Sequence, residues 1–295
     1  MHFPFILILL SIISLTRVIA QHGPVQDNPV LAPEAITPPV IDGQGNDSCW
    51  QQLPWQPILQ TWLPYGAHVD SADYFGRYKV TWSSRTNLLY FLVEVTDNVF
   101  VDGFIAGKTA DVYNYDIIEV FIDEDKSGGL HVFDAKDSSR AEWGTNAENA
   151  FSYHMYAPFP KPGEITKQHF AGDIAGTSWA DVRRVNYASH IPEFALRRNG
   201  TKAIWEFSLI VYNDTYCDTL GNNDAARSHL HAGKAMGLSL AYCDNDHPEK
   251  DPRVRDKFFG SVWVPAEAWN EHWKNADYFG TVKLIDHLRP VNTTR

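Results

Sequence analysis

The sequence has little positive charge, and this limits the partners that the protein can have. Its 295 residues include 25 Lys and Arg but 36 Asp and Glu, which gives a net charge of −11 with histidine neutral. An acidic chain repels phosphate backbones and anionic lipid headgroups. We therefore expect neither nucleic acid nor an anionic membrane surface among its partners.

Cysteine is also scarce. Cys49, Cys217 and Cys243 are the only cysteines, so at most one internal disulfide can form. Cys217 and Cys243 each follow a strand-like run and could pair with each other. Three unpaired thiols are an equally good interpretation of the sequence.

Signatures of nucleotide and nucleophilic chemistry are missing from the chain. It contains no nucleophile elbow, no P-loop and no dinucleotide fingerprint. Among the histidines, only His229 and His231 are closely spaced, and without a nearby third ligand they are more typical of an exposed pair than of a metal site. Acidic residues are so abundant that many pairs of Asp or Glu could be proposed as the two catalytic carboxylates of a glycosidase. Their abundance is therefore no evidence for such an enzyme.

The main apolar run covers residues 3–16 and is too short for a membrane-spanning helix, which needs roughly 20 residues. It is followed by Val18-Ile19-Ala20, a small-residue cleavage pattern, and this predicts a secretory signal peptide over residues 1–20. No Lys or Arg precedes the run, so a retained anchor is the alternative. We expect a secreted, periplasmic or extracellular protein that is free of the membrane after cleavage.

Residues 21–39 contain five prolines and no periodicity, which predicts an extended leader. We expect one domain over residues 40–288 and a short tail over 289–295. Within the domain, period-two alternation and β-rich runs predict strands at 78–83, 89–95, 116–123, 151–156, 205–212, 237–244 and 279–286, with Asn87 in a hairpin turn. No βαβ rhythm is present. The pattern predicts an all-β fold, an antiparallel β-sandwich of jelly-roll type with long decorated loops.

Aromatic residues make up 13% of the chain, with ten Trp, thirteen Tyr and sixteen Phe. This exceeds what a core of ordinary composition requires and leaves rings for stacking on a ligand. Trp263 and Trp269 are assigned to the core, whereas Trp273 lies in a polar segment just ahead of the last strand.

Several motifs, taken in order, resemble those of the family 9 carbohydrate-binding modules. They span most of the predicted domain and comprise Ile41-Asp42-Gly43 with Trp50 shortly after, YKVTWSSRTNLLYFLVEVTDN (78–98), YDIIEVFIDED (115–125), WEFSLIVY (205–212), LAYCDND (240–246), and a Trp ahead of Phe279-Gly280.

The resemblance implies a β-sandwich that binds the end of an oligo- or polysaccharide between two aromatic rings without cleaving it. By motif position the rings are Tyr113 and Trp273, with the Asn270 amide and the Glu119 carboxylate on the sugar. The motifs identify no arginine for this site, although such modules use one. Because these modules accompany glycoside hydrolases, the resemblance also implies a role in polysaccharide catabolism.

The same residues suit a sugar on chemical grounds. A pyranose has an apolar C–H face and a rim of hydroxyl groups, so its site needs a flat aromatic platform with polar groups at the edge. Burying roughly 100 to 150 Å² of apolar surface between two rings contributes about 2.5 to 4 kcal/mol. After the cost of association, this predicts dissociation constants on the order of micromolar to millimolar.

The resemblance further implies bound structural calcium. Residues 123–129 place acids ahead of two glycines, and we assign Asp123 and Asp125 as candidate ligands. A solvated acidic turn is the alternative. Asp42 and Asp97 are further acids at positions that resemble those of the family.

Three other functions remain open from the sequence. Related haem-binding domains of dehydrogenase subunits share this sandwich and its motifs, and after Met1 only Met155 and Met236 could serve as methionine axial ligands. The others are a glycan-processing enzyme and a scaffold that has lost its ligand.

Overall fold

The computed structural model describes residues 28–102, 111–129, 150–156, 160–161, 163–166, 171–175, 189–216 and 222–288. The predicted signal peptide at 1–20, the tail at 289–295 and Cys217 lie outside the described residues. In the described part of the chain, no helix is both long and apolar enough to cross a membrane.

Strands dominate the described residues. They are β1 (Val30–Pro33), β2 (Gln56–Ile58), β3 (Gln60–Leu63), β4 (Tyr74–Ser83), β5 (Leu88–Asp97), β6 (Ile117–Asp123), β7 (Ala150–Tyr156), β8 (Ile165–Thr166), β9 (Ala171–Ala175), β10 (Phe194–Asn199), β11 (Lys202–Leu209), β12 (Ala235–Asp244), β13 (Lys257–Gly260) and β14 (Gly280–Ile285). The helical pieces are one turn, α1 (Ser48–Gln51), and 3₁₀ turns at Val112–Asn114, Asp224–Ala226, Ala266–Ala268 and Ala276–Tyr278.

The strands form two sheets. The first sheet has the order β1-β14-β12-β6-β7-β9, with β13 bridging β12 and β3. The second sheet has the order β2-β4-β5-β11-β10-β8. Neighbouring strands are antiparallel except β1, which runs parallel to β14.

The main core lies between the two sheets. The second sheet contributes Val80, Phe91 and Phe207 to this core, and the first sheet contributes Val120 and Leu240. Because successive side chains of a strand point to opposite faces, these inward positions alternate with residues on the outer faces. The predicted all-β sandwich is confirmed.

Outer-face residues of the first sheet are buried as well. Ile117 and Phe121 of β6 join a second, smaller core that is built with the segment 261–279, and we call this cluster the outer core; its other members include Trp62, Phe258, Val264, Ala268 and Phe279. Strand β6 is therefore apolar on both faces, because it is covered on both. The pocket described below lies beside this cluster.

The sequence predicted the long strands correctly, including the hairpin of β4 and β5. Asn87 lies in its turn with φ of +57°, a left-handed conformation that Asn adopts more readily than most residues. The side chain of Asn87 also bonds the loop above it, since its Nδ2 donates to the Ser228 carbonyl at 2.8 Å. The methionines considered for haem, Met155 and Met236, are both fully buried in the main core.

The prediction of a leader over residues 21–39 needs correction in its second half. Val30–Pro33 forms β1, and its register pairs Val30 with Val282 and Pro33 with Ile285. A proline is tolerated there because it ends an edge strand, where one missing N–H breaks no continuous ladder. A prediction based on proline content therefore missed a strand that belongs to the sandwich.

The Ile41-Asp42-Gly43 motif and Trp50 donate hydrogen bonds to a buried carboxylate of the second sheet. Glu206 accepts hydrogen bonds from the Trp50 indole at 2.8 Å, from the Gly43 amide at 2.8 Å and from the Asp42 amide at 3.1 Å. Gly43 has φ of +73°, and a Cβ there would lie about 3 Å from Ile165 and Arg197 side-chain atoms. The motif is thus explained by structure alone.

His190 is a fully buried polar group of the main core. Its Nδ1 lies 2.9 Å from the Tyr153 hydroxyl and its Nε2 lies 2.9 Å from the Tyr216 hydroxyl. Burial lowers the pKa of His190 to about 3. The imidazole is therefore neutral in the fold, and acid favours the unfolded chain, in which it can be protonated.

This predicts an acid sensitivity that a His190→Gln variant lacks. Below about pH 6.5, the pKa of histidine in the unfolded chain, the His190 imidazole is protonated in the unfolded state. In the folded state it is protonated only near its pKa of about 3. The stability advantage of the wild type over the variant should therefore shrink by about 3 kcal/mol between pH 7 and pH 4. Urea unfolding of both proteins measures this difference, and other titrating groups cancel. An advantage that is constant across this range would contradict the prediction.

Candidate functional site

A pocket of about 330 Å³ lies on the outer face of the first sheet, beside the outer core. Strands β6 and β7 contribute its floor, and the segment around β13 and the turns before β14 contribute its wall. The pocket is lined by Tyr113, Glu119, Phe121, His154, Arg255, Phe258, Asn270, His272 and Trp273. All four residues that the sequence assigned to a ligand therefore line one cavity.

Tyr113 lies in the 3₁₀ turn just before β6 and is 37% exposed. Its hydroxyl donates a hydrogen bond to Asp111 Oδ2 at 2.5 Å. This carboxylate, together with partial burial, raises the pKa of Tyr113 to about 12. The ring is therefore a neutral, half-exposed surface whose orientation is fixed by its own loop.

Trp273 follows the 3₁₀ turn Ala266–Ala268 and is partly buried against the outer core. The Lys274 ammonium lies 5.5 Å from its ring centroid. Trp269, which the sequence assigned to the core, is partly buried and packs on the outer core. Trp263 does not, because it is 59% exposed, so its assignment to the core is wrong.

Glu119 points to the outer face from the middle of β6 and is only 3% exposed. Three donors converge on one of its oxygens, Oε1: the Cys243 thiol at 3.0 Å, His154 Nε2 at 3.4 Å and Arg255 Nη1 at 3.5 Å. Burial alone would raise the pKa of Glu119, but His154 and then Arg255 outweigh it, and the pKa is lowered. The site thus holds an ionised carboxylate whose other oxygen is not used by these three contacts.

Arg255 is a charged residue of the pocket that sequence analysis missed. Its Nη2 donates to Asn270 Oδ1 at 2.9 Å, and its Nη1 donates to Cys243 Sγ at 3.1 Å. The guanidinium carbon lies 4.0 Å from the Phe258 centroid and 5.2 Å from the Tyr113 centroid. Arg255 therefore joins the carboxylate, the amide and one aromatic ring of the predicted site.

Cys243 and His154 take part in the same network. Cys243 is a free thiol on β12, so it is not bridged to Cys217. Burial raises its pKa well above the usual value, and the neutral thiol can donate to Glu119. His154 lies directly opposite Glu119 in the register of β6 and β7. Strand alternation could have placed His154 on this face, but the register of the pairing could not be read from the sequence.

The predicted calcium ligands are engaged in the turn after β6. Asp123 accepts hydrogen bonds from the Gly128 amide at 2.8 Å and the Lys126 amide at 3.1 Å, and Asp125 accepts one from the Ser127 amide at 2.9 Å. Both carboxylates thus close the turn that carries them. Their role as metal ligands stays a prediction.

A tighter group of acids lies at one end of the sandwich. Asp97, Asp116 and Asp244 are all buried, and one carboxylate oxygen of each lies within 4.8 Å of the others. Burial is the main cause that raises the pKa of Asp97 to about 7 and that of Asp244 to about 8, and that raises the pKa of Asp116 well above its usual value. Repulsion from Asp97 adds to the shifts of Asp116 and Asp244. Carboxylate oxygens are the ligands that calcium prefers, so this group could hold a cation.

Comparison with known proteins gives the family. The profile described as "Carbohydrate family 9 binding domain-like" matches residues 41–287. The chain belongs to this family. The profile begins after β1, so the first strand of the sandwich lies outside the matched region.

Solved structures share the fold at low sequence identity. A family 9 carbohydrate-binding module from Caldicellulosiruptor kristjanssonii, solved with glucose, aligns with a TM-score of 0.54 and 16% identity, covering 90% of this chain and 100% of that one. The same organism's family 9 module solved with cellotriose aligns with a TM-score of 0.55 and 17% identity, covering 91% and 98%. No curated protein is significantly similar to the chain.

The Arg255 contacts predict a large effect on stability. Replacing Arg255 with Met leaves the buried Glu119 charge without its guanidinium partner, which costs about 3 kcal/mol of unfolding free energy. Arg253→Met is the matched control, because Arg253 lies in the same loop but its described contacts are with the Pro248 and His247 carbonyls and the Tyr115 ring, and none is with a carboxylate. Chemical denaturation should show a loss below about 1 kcal/mol for this control. Equal losses in the two variants would show that Glu119 does not depend on Arg255.

Proposed function

We propose that this protein binds the end of an oligo- or polysaccharide chain in the pocket of the first sheet without cleaving it. The observation that carries this proposal is the presence of Tyr113, Glu119, Asn270 and Trp273 in one cavity. The bound glucose and cellotriose of the C. kristjanssonii modules support a sugar as the ligand.

The aromatic rings supply the apolar part of the site. Tyr113 and Trp273 come from distant parts of the chain and both remain partly exposed at the cavity. In the proposed complex each ring stacks on one face of a terminal pyranose. Phe121 and Phe258 add to the apolar lining of the cavity.

The polar groups are positioned for hydroxyl groups at the rim. Three donors occupy Glu119 Oε1, which leaves Oε2 to accept a hydrogen bond from a sugar hydroxyl. Arg255 holds the carbonyl oxygen of Asn270, so the amide nitrogen is free to donate. An ionised acceptor with an adjacent amide donor can bind neighbouring hydroxyls of one ring.

The number of carboxylates that line the pocket favours sugar binding over hydrolysis. Glycoside hydrolysis in its usual form needs two carboxyl groups on opposite sides of the scissile bond. Among the described residues that line the pocket, Glu119 is the only carboxylate. Its pKa is lowered, which is unsuited to a general acid.

The wider role follows from the same proposal. The predicted signal peptide at 1–20 would take the protein out of the cytoplasm. Outside it, the protein would meet polysaccharides as extended chains. There the pocket would hold a chain end, in association with polysaccharide catabolism. A secreted protein of this acidity would bind through the pocket and not through non-specific charge.

Isothermal titration with glucose, cellobiose, cellotriose and xylobiose tests the proposal. We expect binding of at least one sugar with a dissociation constant on the order of micromolar to millimolar. Trp273→Ala should weaken it at least about tenfold, because losing roughly 60 Å² of stacked apolar surface costs about 1.5 kcal/mol. Trp263→Ala is the matched control, since its indole is 59% exposed and does not line the pocket.

Two outcomes would remove the proposal. One is the absence of heat with every sugar of the panel. The other is an affinity that Trp273→Ala leaves unchanged while the variant keeps its fold by circular dichroism.

A further inference from the structure

We propose that a groove on the outer face of the second sheet binds the carboxylate of a uronic acid that branches from an otherwise neutral polysaccharide, with Arg197 as its main contact. The groove and the pocket described above lie on different sheets, on opposite sides of the sandwich. The inference therefore goes beyond the function proposed above and can be tested independently of it.

Two adjoining cavities of about 280 and 250 Å³ form the groove, and they share Gln44, Gly163 and Arg197. Strands β10 and β11 provide its floor. Leu196, the residue before Arg197, lies in the main core, so Arg197 points to the outer face. The loop around Gly43 forms one wall, and it packs directly on the base of the arginine, since a Cβ on Gly43 would lie 3.1 Å from Arg197 Cβ.

Arg197 is the observation that points to an anionic ligand. Its side chain is partly buried, yet its guanidinium makes no hydrogen bond or ion pair with any described residue. Among the described residues that line the groove, Asp42 is the only acid, and its two oxygens accept hydrogen bonds from Gln44 at 2.9 and 2.6 Å. A guanidinium is a rigid fork of five donors that matches the two oxygens of a carboxylate. Arg197 therefore presents unused donors to the groove.

A second cation, Lys202, lines the groove beside Arg197. Lys202 Nζ lies 2.6 Å from Glu94 Oε2, and Glu94 Oε1 also accepts a hydrogen bond from Arg77 Nε at 3.0 Å. One carboxylate is thus shared by two cations. This part of the outer face keeps a positive charge although the whole chain carries −11, so the groove is complementary to an anionic group.

The class of anion follows from the charge of the chain and the lining of the groove. The acidic surface as a whole repels a densely charged polymer, such as nucleic acid or a polyuronate. One unpaired guanidinium matches one carboxylate, which it can bind through two parallel hydrogen bonds. Ile165 and Ile204 supply apolar surface for the C–H face of a sugar ring. A single uronic acid on a neutral chain combines these properties.

The wall of the groove is already ordered in the folded protein. The Gly43 and Asp42 amides donate to Glu206 at 2.8 and 3.1 Å, and this carboxylate also holds the Trp50 indole. The floor is a continuous hairpin, in which β10 and β11 pair from Phe194 to Lys202. Little ordering of the backbone is needed when a ligand binds, and this favours affinity.

Isothermal titration with two forms of xylotriose tests the groove, one unbranched and the other carrying a single glucuronic acid branch. We expect the branched sugar to bind at least about tenfold more tightly, because hydrogen bonds between charged groups are the stronger ones. The preference should decrease in about 0.5 M salt, because the groove is open to solvent. The full chain is produced in bacteria, so that the Asn199-Gly200-Thr201 sequon beside the groove carries no glycan.

Three variants assign the preference to the groove. Arg197→Gln should abolish it and leave the affinity for unbranched xylotriose unchanged. This variant removes no described side-chain hydrogen bond, so it should fold, which circular dichroism checks. Arg85→Gln is the control, because Arg85 is an exposed arginine of the β4–β5 turn that does not line the groove. Trp273→Ala, in the pocket of the first sheet, should keep the preference.

The outcomes separate this inference from the proposed function. Equal affinities of the wild type for the two sugars, or a preference that Arg197→Gln keeps, would overturn the groove. Acetate that binds the groove as tightly as free glucuronate would show an adventitious anion only and overturn the assignment to a sugar. A preference that depends on Arg197, found while no neutral sugar binds the protein, would overturn the proposed function and leave the groove standing.

Discussion

A buried negative charge on the middle of a central strand is the constraint around which the pocket is built. Glu119 lies between Ile117 and Phe121 on a face that the outer core covers, so its carboxylate is almost entirely removed from bulk water. An ionised carboxylate in such surroundings persists only when cations or donors face it. Arg255, His154 and Cys243 meet that need from three different elements, and their positions fix the shape of the cavity.

The comparison with Glu206 shows why one buried glutamate suits the proposed sugar site and the other does not. On the second sheet, Glu206 uses both oxygens, one for the Trp50 indole and the other for two backbone amides. On the first sheet, the three contacts of Glu119 all fall on Oε1. The first arrangement satisfies its acid internally, whereas the second leaves an oriented acceptor beside two aromatic rings.

Local pattern was enough to predict the long strands and the face of each residue along them. Alternation placed Glu119 opposite in direction to Ile118 and Val120, and the hairpin at Asn87 followed from two alternating runs and a turn residue. The resemblance to the family added Tyr113, Asn270 and Trp273, which no local rule could have brought together. Strand β1 was missed because its proline content suggested a linker, although an edge position tolerates proline.

Arg255 could not be found in this way, for a physical reason. It precedes a strand of only four residues, Lys257–Gly260, whose pairing with β12 and β3 depends on contacts distant in the sequence. The same holds for His154, which faces Glu119 only because of the register between β6 and β7. The residues that face a buried charge are set by the tertiary structure. The sequence can therefore indicate the charged residue but not its partners.

Preorganisation is the property that these features share. A neutral sugar is not drawn in by the charge of the protein, so its affinity depends on how little the site must be ordered when it binds. Tyr113 is held by Asp111, Asn270 by Arg255, and Arg255 by Cys243 and the Phe258 ring. Most of the side-chain ordering is therefore completed during folding, and the stability of the outer core sustains it. Any change that loosens this network should cost affinity even where it removes no atom that touches the sugar.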